Sequence, residues 1–242
     1  MAITAKSFSK KEAISFGWEA TKKNFWFLLG MLLVTCLIQF IPNILSGYLK
    51  DQFMISILVN VVVYIVSLGL YLGAIKIYLS FVDGKKSQFS DLYSLFKVKL
   101  ITRYFLASLM YSIVLIVAFV PVTLLLLNYE QMSKMSLFPV YTIITLLIAV
   151  ISGFVSIYLI TRLSFYPYFI VDKKSGIVES LINSWRVTKG HVGNIIFLEL
   201  LFGLLIIAGA LALIVGLLVA MPVVSLAGAF VYRKLSPPSK AD

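Results

Sequence analysis

Glu199 is the side chain with the most chemical potential in this sequence. It sits among Phe197, Leu198, Leu200 and Leu201, one turn into a long apolar stretch. An ionisable group inside a membrane span is costly to bury and marks a functional site by default. Lys76 and Arg162 fall at a similar depth on two other apolar stretches. Together the three define a candidate intramembrane polar cluster. A Glu199–Arg162 or Glu199–Lys76 pair would neutralise the carboxylate. Read functionally, the cluster would hold a proton or a charged substrate. Read structurally, it is an interhelical pair, or a set of side chains snorkelling toward headgroups. One carboxylate with no acidic or histidine partner makes a poor proton relay, which favours the structural role.

The other reactive residues offer less. His191 is the only histidine and has no Cys, Asp or Glu at ligand spacing, so a metal site is not expected. Beside Lys189, it reads as an interfacial residue. Cys36, the only cysteine, lies within an apolar stretch and can form no internal disulfide. Gly69-x-x-x-Gly73 is a close-packing motif, and packing within the chain is the expected use rather than dimerisation. No phosphate loop, nucleophile elbow or paired-carboxylate constellation is visible. No catalytic, cofactor-binding or metal-binding residue is assigned, no cofactor is expected, and an enzyme is not the expected class.

These residues sit on elements that hydropathy defines. Of 242 residues, 61% are hydrophobic and 13% charged, and the mean hydropathy is +1.01. A soluble domain is nearer half apolar and one quarter charged. Spans are expected over Phe25–Leu45, Phe53–Val82, Tyr104–Leu127 and Phe138–Leu163. About 20 apolar residues suffice to cross the hydrocarbon core, so the second must tilt or project. Pro121 should kink the third, and Pro167 should interrupt the helix after the fourth. From Ile195 to Leu235 the chain is almost wholly apolar. At 1.5 Å per residue a single helix there would be roughly 60 Å long, about twice the core. It must turn, and Gly216 and Pro222 are the expected bounds of that turn, with Pro222 opening the last helix.

Charge then orients the spans. Nineteen of the 21 Lys and Arg residues fall on one side of this six-span scheme, and only Lys50 and Lys134 on the other. Basic residues flanking spans stay cytoplasmic, so both termini are expected inside the cell, in the inner membrane. Five spans would place Arg233 and Lys234 outside. The net charge of +11 therefore reads as topology and as affinity for anionic headgroups, at about 1 kcal/mol per basic residue near the surface, rather than as a nucleic-acid surface. No small-x-small cleavage pattern follows the polar N-terminus, so the first span is expected to be retained.

Three basic-side segments carry helical periodicity. The first has Ala13, Phe16, Gly17 and Ala20 on one face, with Ser9-x-x-Glu12 as a capping box. The second has Phe89, Leu92, Tyr93, Phe96 and Leu100. The third has Ile177, Val178, Leu181, Ile182, Trp185 and Thr188. Basic helices with an apolar face lie in the membrane interface, and Trp18, Trp26 and Trp185 are candidate interfacial anchors. The first and third share Trp18-x-x-Thr21-Lys22 and Trp185-x-x-Thr188-Lys189. Each segment precedes a pair of spans. The expected architecture is thus all-α: one membrane domain over 1–242, six spans, three interfacial helices, and a threefold repeat with units near 9–82, 87–163 and 176–235.

Ser180-x3-Ser184-Trp185-x2-Thr188-Lys189-Gly190, followed by Gly216-Leu217-Leu218, Pro222 and Tyr232-x-x-Leu235, resembles uncharacterised prokaryotic six-helix membrane families. Among them is the membrane domain fused to some bacterial glycerophosphodiester phosphodiesterases. The resemblance implies a fold and a membrane but no activity, and no phosphodiesterase catalytic sequence occurs within these 242 residues. Two functions follow as expectations. One is a non-enzymatic membrane protein engaging anionic lipid or a partner at its basic face. The other is a small transporter with its site at the Lys76, Arg162 and Glu199 level. Mid-depth polar residues are sparse (Asn60, Ser67, Ser112 and Thr145), which favours the first, since transporters line a polar midplane cavity.

Overall fold

The computed structural model describes residues 8–46, 52–128 and 138–236. Lys50 and Lys134, the basic residues assigned to the outer side, lie outside the described residues, as do Lys6 and Lys240. The regular elements among the described residues are all helices: α1 Lys10–Lys23, α2 Phe25–Ser46, α3 Phe53–Val82, α4 Ser90–Tyr93, α5 Val98–Leu127, α6 Phe138–Leu163, α7 Tyr166–Asp172, α8 Ile177–Val187, α9 Val192–Leu211 and α10 Leu213–Leu235. Six of its helices are long and apolar enough to cross a membrane. The chain is a multi-pass membrane protein.

α10 is the central helix. It packs against α1, α3, α9 and α2 and carries the fully enclosed Leu226, Val231 and Tyr232. The core gathers at one end of the bundle, where Tyr232 stacks on Tyr168 at 5.0 Å and meets Phe169 edge-on at 5.2 Å. Toward the other end, side chains such as Leu127, Leu211 and Leu213 are exposed. That pattern suits lipid, which solvates leucine as well as a protein interior does.

Three expectations are corrected. The turn in the last apolar run falls at Ala212, not between Gly216 and Pro222. Leu213 takes the left-handed conformation, at φ 62°, and Pro222 lies well inside α10. Gly216 serves the hairpin differently. A Cβ there would meet the Gly209 carbonyl, so the two glycines let α9 and α10 approach. The third span begins at Val98 rather than Tyr104, because α5 carries Lys99 and Arg103 in its first turns. The second amphipathic segment is only the single turn α4. Lys97 is extended at φ −112° and ψ 121°, which breaks the helix and places Leu100 in α5.

Pro121 lies inside α5 without ending it. The helix after the fourth span breaks just before the proline, at Ser164–Phe165, and Pro167 sits in the first turn of α7, where its missing N–H costs nothing.

Candidate functional site

Lys76, Arg162 and Glu199 do not converge. Each has its own partner. Lys76 sits on α3, one turn past Gly73. Its Nζ donates to Asp91 Oδ1 at 3.0 Å and to Ser94 Oγ at 2.8 Å, so it ties α4 back onto the span. The Gln88 backbone N–H, first, and Lys76, second, hold the Asp91 carboxyl below the usual carboxylate range. Glu199 Oε2 accepts from Thr161 Oγ1 at 2.7 Å, linking α9 to α6. Among the described residues it forms no salt bridge, so the expected pair with Arg162 or Lys76 is replaced by a neutral hydroxyl donor.

Arg162 is buried, at 4% exposure. Its guanidinium lies 4.1 Å from the Trp185 ring centre and 5.8 Å from that of Tyr158. Stacking of this kind is worth about 2 kcal/mol where the cation is desolvated. Trp185 is thus tied to Arg162 as well as partly exposed. Trp18 and Trp26 are the freer rings, at 48% and 80% exposure. His191, expected at the interface, is buried within the protein and lies near Phe8. Among the described residues no group of three or more His, Cys, Asp or Glu side chains converges on a point.

The helix break after α6 explains the serine motif. A broken helix in a membrane leaves backbone groups that water cannot satisfy, so side chains must. Ser184 Oγ donates to the Arg162 carbonyl at 2.9 Å and accepts from the Phe165 N–H at 3.1 Å. Thr188 Oγ1 adds a longer contact to the same carbonyl at 3.3 Å. Ser180, Ser184 and Thr188 are all fully enclosed, so α8 turns a stripe of small hydroxyl residues toward the bundle. The expected apolar face is divided: Leu181 and Thr188 are buried and Ile177 packs beside them, while Val178, Ile182 and Trp185 are exposed. Ser184→Ala leaves the Phe165 N–H unpaired, while Thr188 keeps the carbonyl. It should cost about 1–3 kcal/mol, read as a lowered unfolding midpoint in detergent. An unchanged midpoint would refute this role for Ser184.

The α1 and α8 segments use matching positions. Both helices, and the spans that follow them, begin at one constant sequence separation. Ala13, Gly17, Thr21, Leu28 and Met31 are buried, and so are Ser180, Ser184, Thr188, Ile195 and Leu198 at the same separation. At the start of α1 the Ser9 hydroxyl accepts from the Glu12 N–H. At the start of α8 the Glu179 carboxylate accepts from the Gly176 N–H. The small residues differ in use: Gly17 lets α1 reach the backbone of Val223 on α10, whereas Ser184 seals the α6–α7 break.

The strongest polar constellation was missed in the sequence. Arg233, near the end of α10, donates from Nη1 to Asp172 Oδ2 at 2.9 Å and from Nη2 to Asp83 Oδ2 at 2.8 Å. Tyr232 OH donates to the same Asp172 oxygen at 2.9 Å. One guanidinium thus joins the ends of α3, α7 and α10. Next to it Lys234 pairs with Glu12 of α1 at 2.9 Å. The available signal was the placement of the carboxylates: Asp83 and Asp172 each follow directly on an apolar stretch, on the side rich in cations.

No protein family, curated protein or solved structure matches the chain.

Proposed function

We propose that this is a non-enzymatic integral membrane protein whose basic face engages anionic lipid, with that face and both termini cytoplasmic in a bacterial-type inner membrane. The observation that carries this reading is a surplus of free cation on one side. Lys23, Lys85, Lys86, Lys97, Lys99 and Lys189 are exposed and form no salt bridge among the described residues. Most of the acidic residues on this side are already paired with a cation, Asp83 and Asp172 with Arg233, Asp91 with Lys76 and Glu12 with Lys234, while Glu19 and Glu179 accept from Ser15 and the Gly176 N–H. Anionic headgroups are the natural complement for cations left over in this way. On this reading α1 and α8 lie along the interface. The matched burial of α1–α2 and α8–α9 supports a repeat of two clear units, with the four-residue α4 as a reduced middle copy. That layout is compatible with the resemblance to the phosphodiesterase-associated membrane domain. The transporter reading loses its main support, because Lys76, Arg162 and Glu199 each have a separate partner.

Reconstitution into lipid nanodiscs tests the proposal. Replacing part of the phosphatidylcholine with phosphatidylglycerol should raise the unfolding midpoint, and high salt should shrink the increment through screening. Equal midpoints in the two lipids would overturn it.

A further inference from the structure

We propose that a cavity at the basic end of the bundle is a binding site for a phosphate-bearing anion, its occupant the headgroup of an anionic phospholipid. This deepens the lipid reading above and rests on it. The cavity measures about 590 Å3 and lies between the end of α1, the start of α2 and the loop after α3. That volume falls within the range of small-ligand sites.

Three features define its chemistry. Lys23 comes from α1, and Lys85 and Lys86 from the loop, so lysines line the cavity on two walls. None of the three forms a salt bridge among the described residues. Lysine is a compact point charge that donates in three directions, and it binds phosphate well in that role. The Ser87 hydroxyl oxygen, from the same wall, is enclosed and has no protein partner. A buried polar atom left this way calls for a ligand or water. The floor is aromatic: Phe27 meets Phe81 edge-on at 5.7 Å. Lysines and aromatic rings in one lining suit an amphiphile, with phosphate at the lysines and glycerol on the rings.

The loop is held in place. The Gly84 N–H donates to the Phe81 carbonyl at 3.1 Å and the Lys85 N–H to the Ser80 carbonyl at 2.9 Å. This is the double closure of a helix ended by a left-handed glycine, and Gly84 has φ +69°. The lysine pair therefore leaves α3 in a fixed direction. Competing carboxylates are accounted for. Asp83 is held by Arg233. Glu19, the one acid lining the cavity, accepts from Ser15 at 3.3 Å, and three lysines outweigh it.

Native mass spectrometry of the full chain in detergent, with phosphatidylglycerol or phosphatidylcholine added, tests the site. Two triple variants are compared: Lys23→Gln/Lys85→Gln/Lys86→Gln in the cavity, and Lys97→Gln/Lys99→Gln/Lys189→Gln elsewhere on the basic face. The wild type and the second variant should retain a phosphatidylglycerol adduct in preference to phosphatidylcholine. The cavity variant should bind about a hundredfold more weakly, the loss expected for three surface-level lysine contacts. Ser87→Ala, which changes no charge, should weaken binding severalfold. Displacement of the lipid by inorganic phosphate would keep the site and assign it to a free anion. Equal loss in both triple variants would overturn the site while leaving the lipid reading intact. No preference for phosphatidylglycerol in the wild type would overturn both.

Discussion

Arg233→Gln should lower the unfolding midpoint more than any other single charge removal in this protein. The guanidinium side chain is 11% exposed, and its partners Asp83 and Asp172 are 22% and 16% exposed. Removing one partner of a buried ion pair leaves an uncompensated charge and costs about 3–5 kcal/mol. Here two carboxylates would be stranded, although their partial exposure and nearby Tyr232 offset part of that. An effect of about 3 kcal/mol corresponds to roughly 6–12 °C for a chain of this size. The geometry also fixes an order. Asp172→Asn should cost less, because the amide oxygen still accepts from Tyr232 and Arg233 retains Asp83. Asp83→Asn should cost least, since it is the more exposed partner. Arg233→Lys should fall between the glutamine variant and the wild type, because one ammonium lacks the planar fork that spans two carboxylates. Tryptophan fluorescence melts of the four variants in one detergent would settle the order. A shift of only a degree or two for Arg233→Gln would show that the three helix ends are held together by packing alone.

Most of the fold was legible because lipid imposes a simple demand on sequence. Phe53–Val82 and Phe138–Leu163 emerge with the bounds that hydropathy gives them. The first span also keeps its bounds, Phe25–Leu45, with α2 running one residue further to Ser46. Hydropathy failed where it stops discriminating. Lys99 and Arg103 lie on α5, since a helix continues past the hydrocarbon edge at no cost, and charge then marks the membrane boundary rather than the helix start. The turn at Ala212 has no polar neighbour to announce it. Gly216, which looked like punctuation, is with Gly209 a spacer between packed helices.

The candidate site was legible only in depth. Sequence places Lys76, Arg162 and Glu199 near one level but says nothing of which way each faces. Thr161 reaches Glu199 while its neighbour Arg162 turns to Trp185. Adjacent residues on a helix point about 100° apart, so one position separates a carboxylate's partner from an aromatic's. The Arg233 hub was hidden for a related reason: Asp83, Asp172 and Arg233 come from three distant parts of the chain, and only the packing of α3 and α7 around α10 unites them.

Gly73→Val should prevent α4 from docking, and its effect should rival that of the Arg233 variant. Gly69-x-x-x-Gly73 reads as a helix-packing motif, and the structure shows what it packs. A Cβ on Gly73 would overlap the backbone of Leu92, and one on Gly69 would lie 2.7 Å from the ring of Phe96. The two positions are unequal. Phe96 is a side chain that can turn aside, so Gly69→Ala should cost little. The Leu92 backbone has no such freedom, because Leu92 is fully enclosed and α4 is pinned by the Lys76 contacts to Asp91 and Ser94. Overpacking against a fixed backbone costs typically 1–3 kcal/mol for an added methylene or two. Valine adds three carbons, so the cheaper response is for the loop to lift off. Lifting α4 breaks the Lys76–Asp91 pair and exposes Leu92. Proteolysis makes that visible: trypsin should cut at Lys97 or Lys99 much faster in Gly73→Val than in wild type, with Gly69→Ala close to wild type. Equal cutting in all three proteins would show that α4 does not depend on close approach to α3, and the glycine pair would then need another explanation.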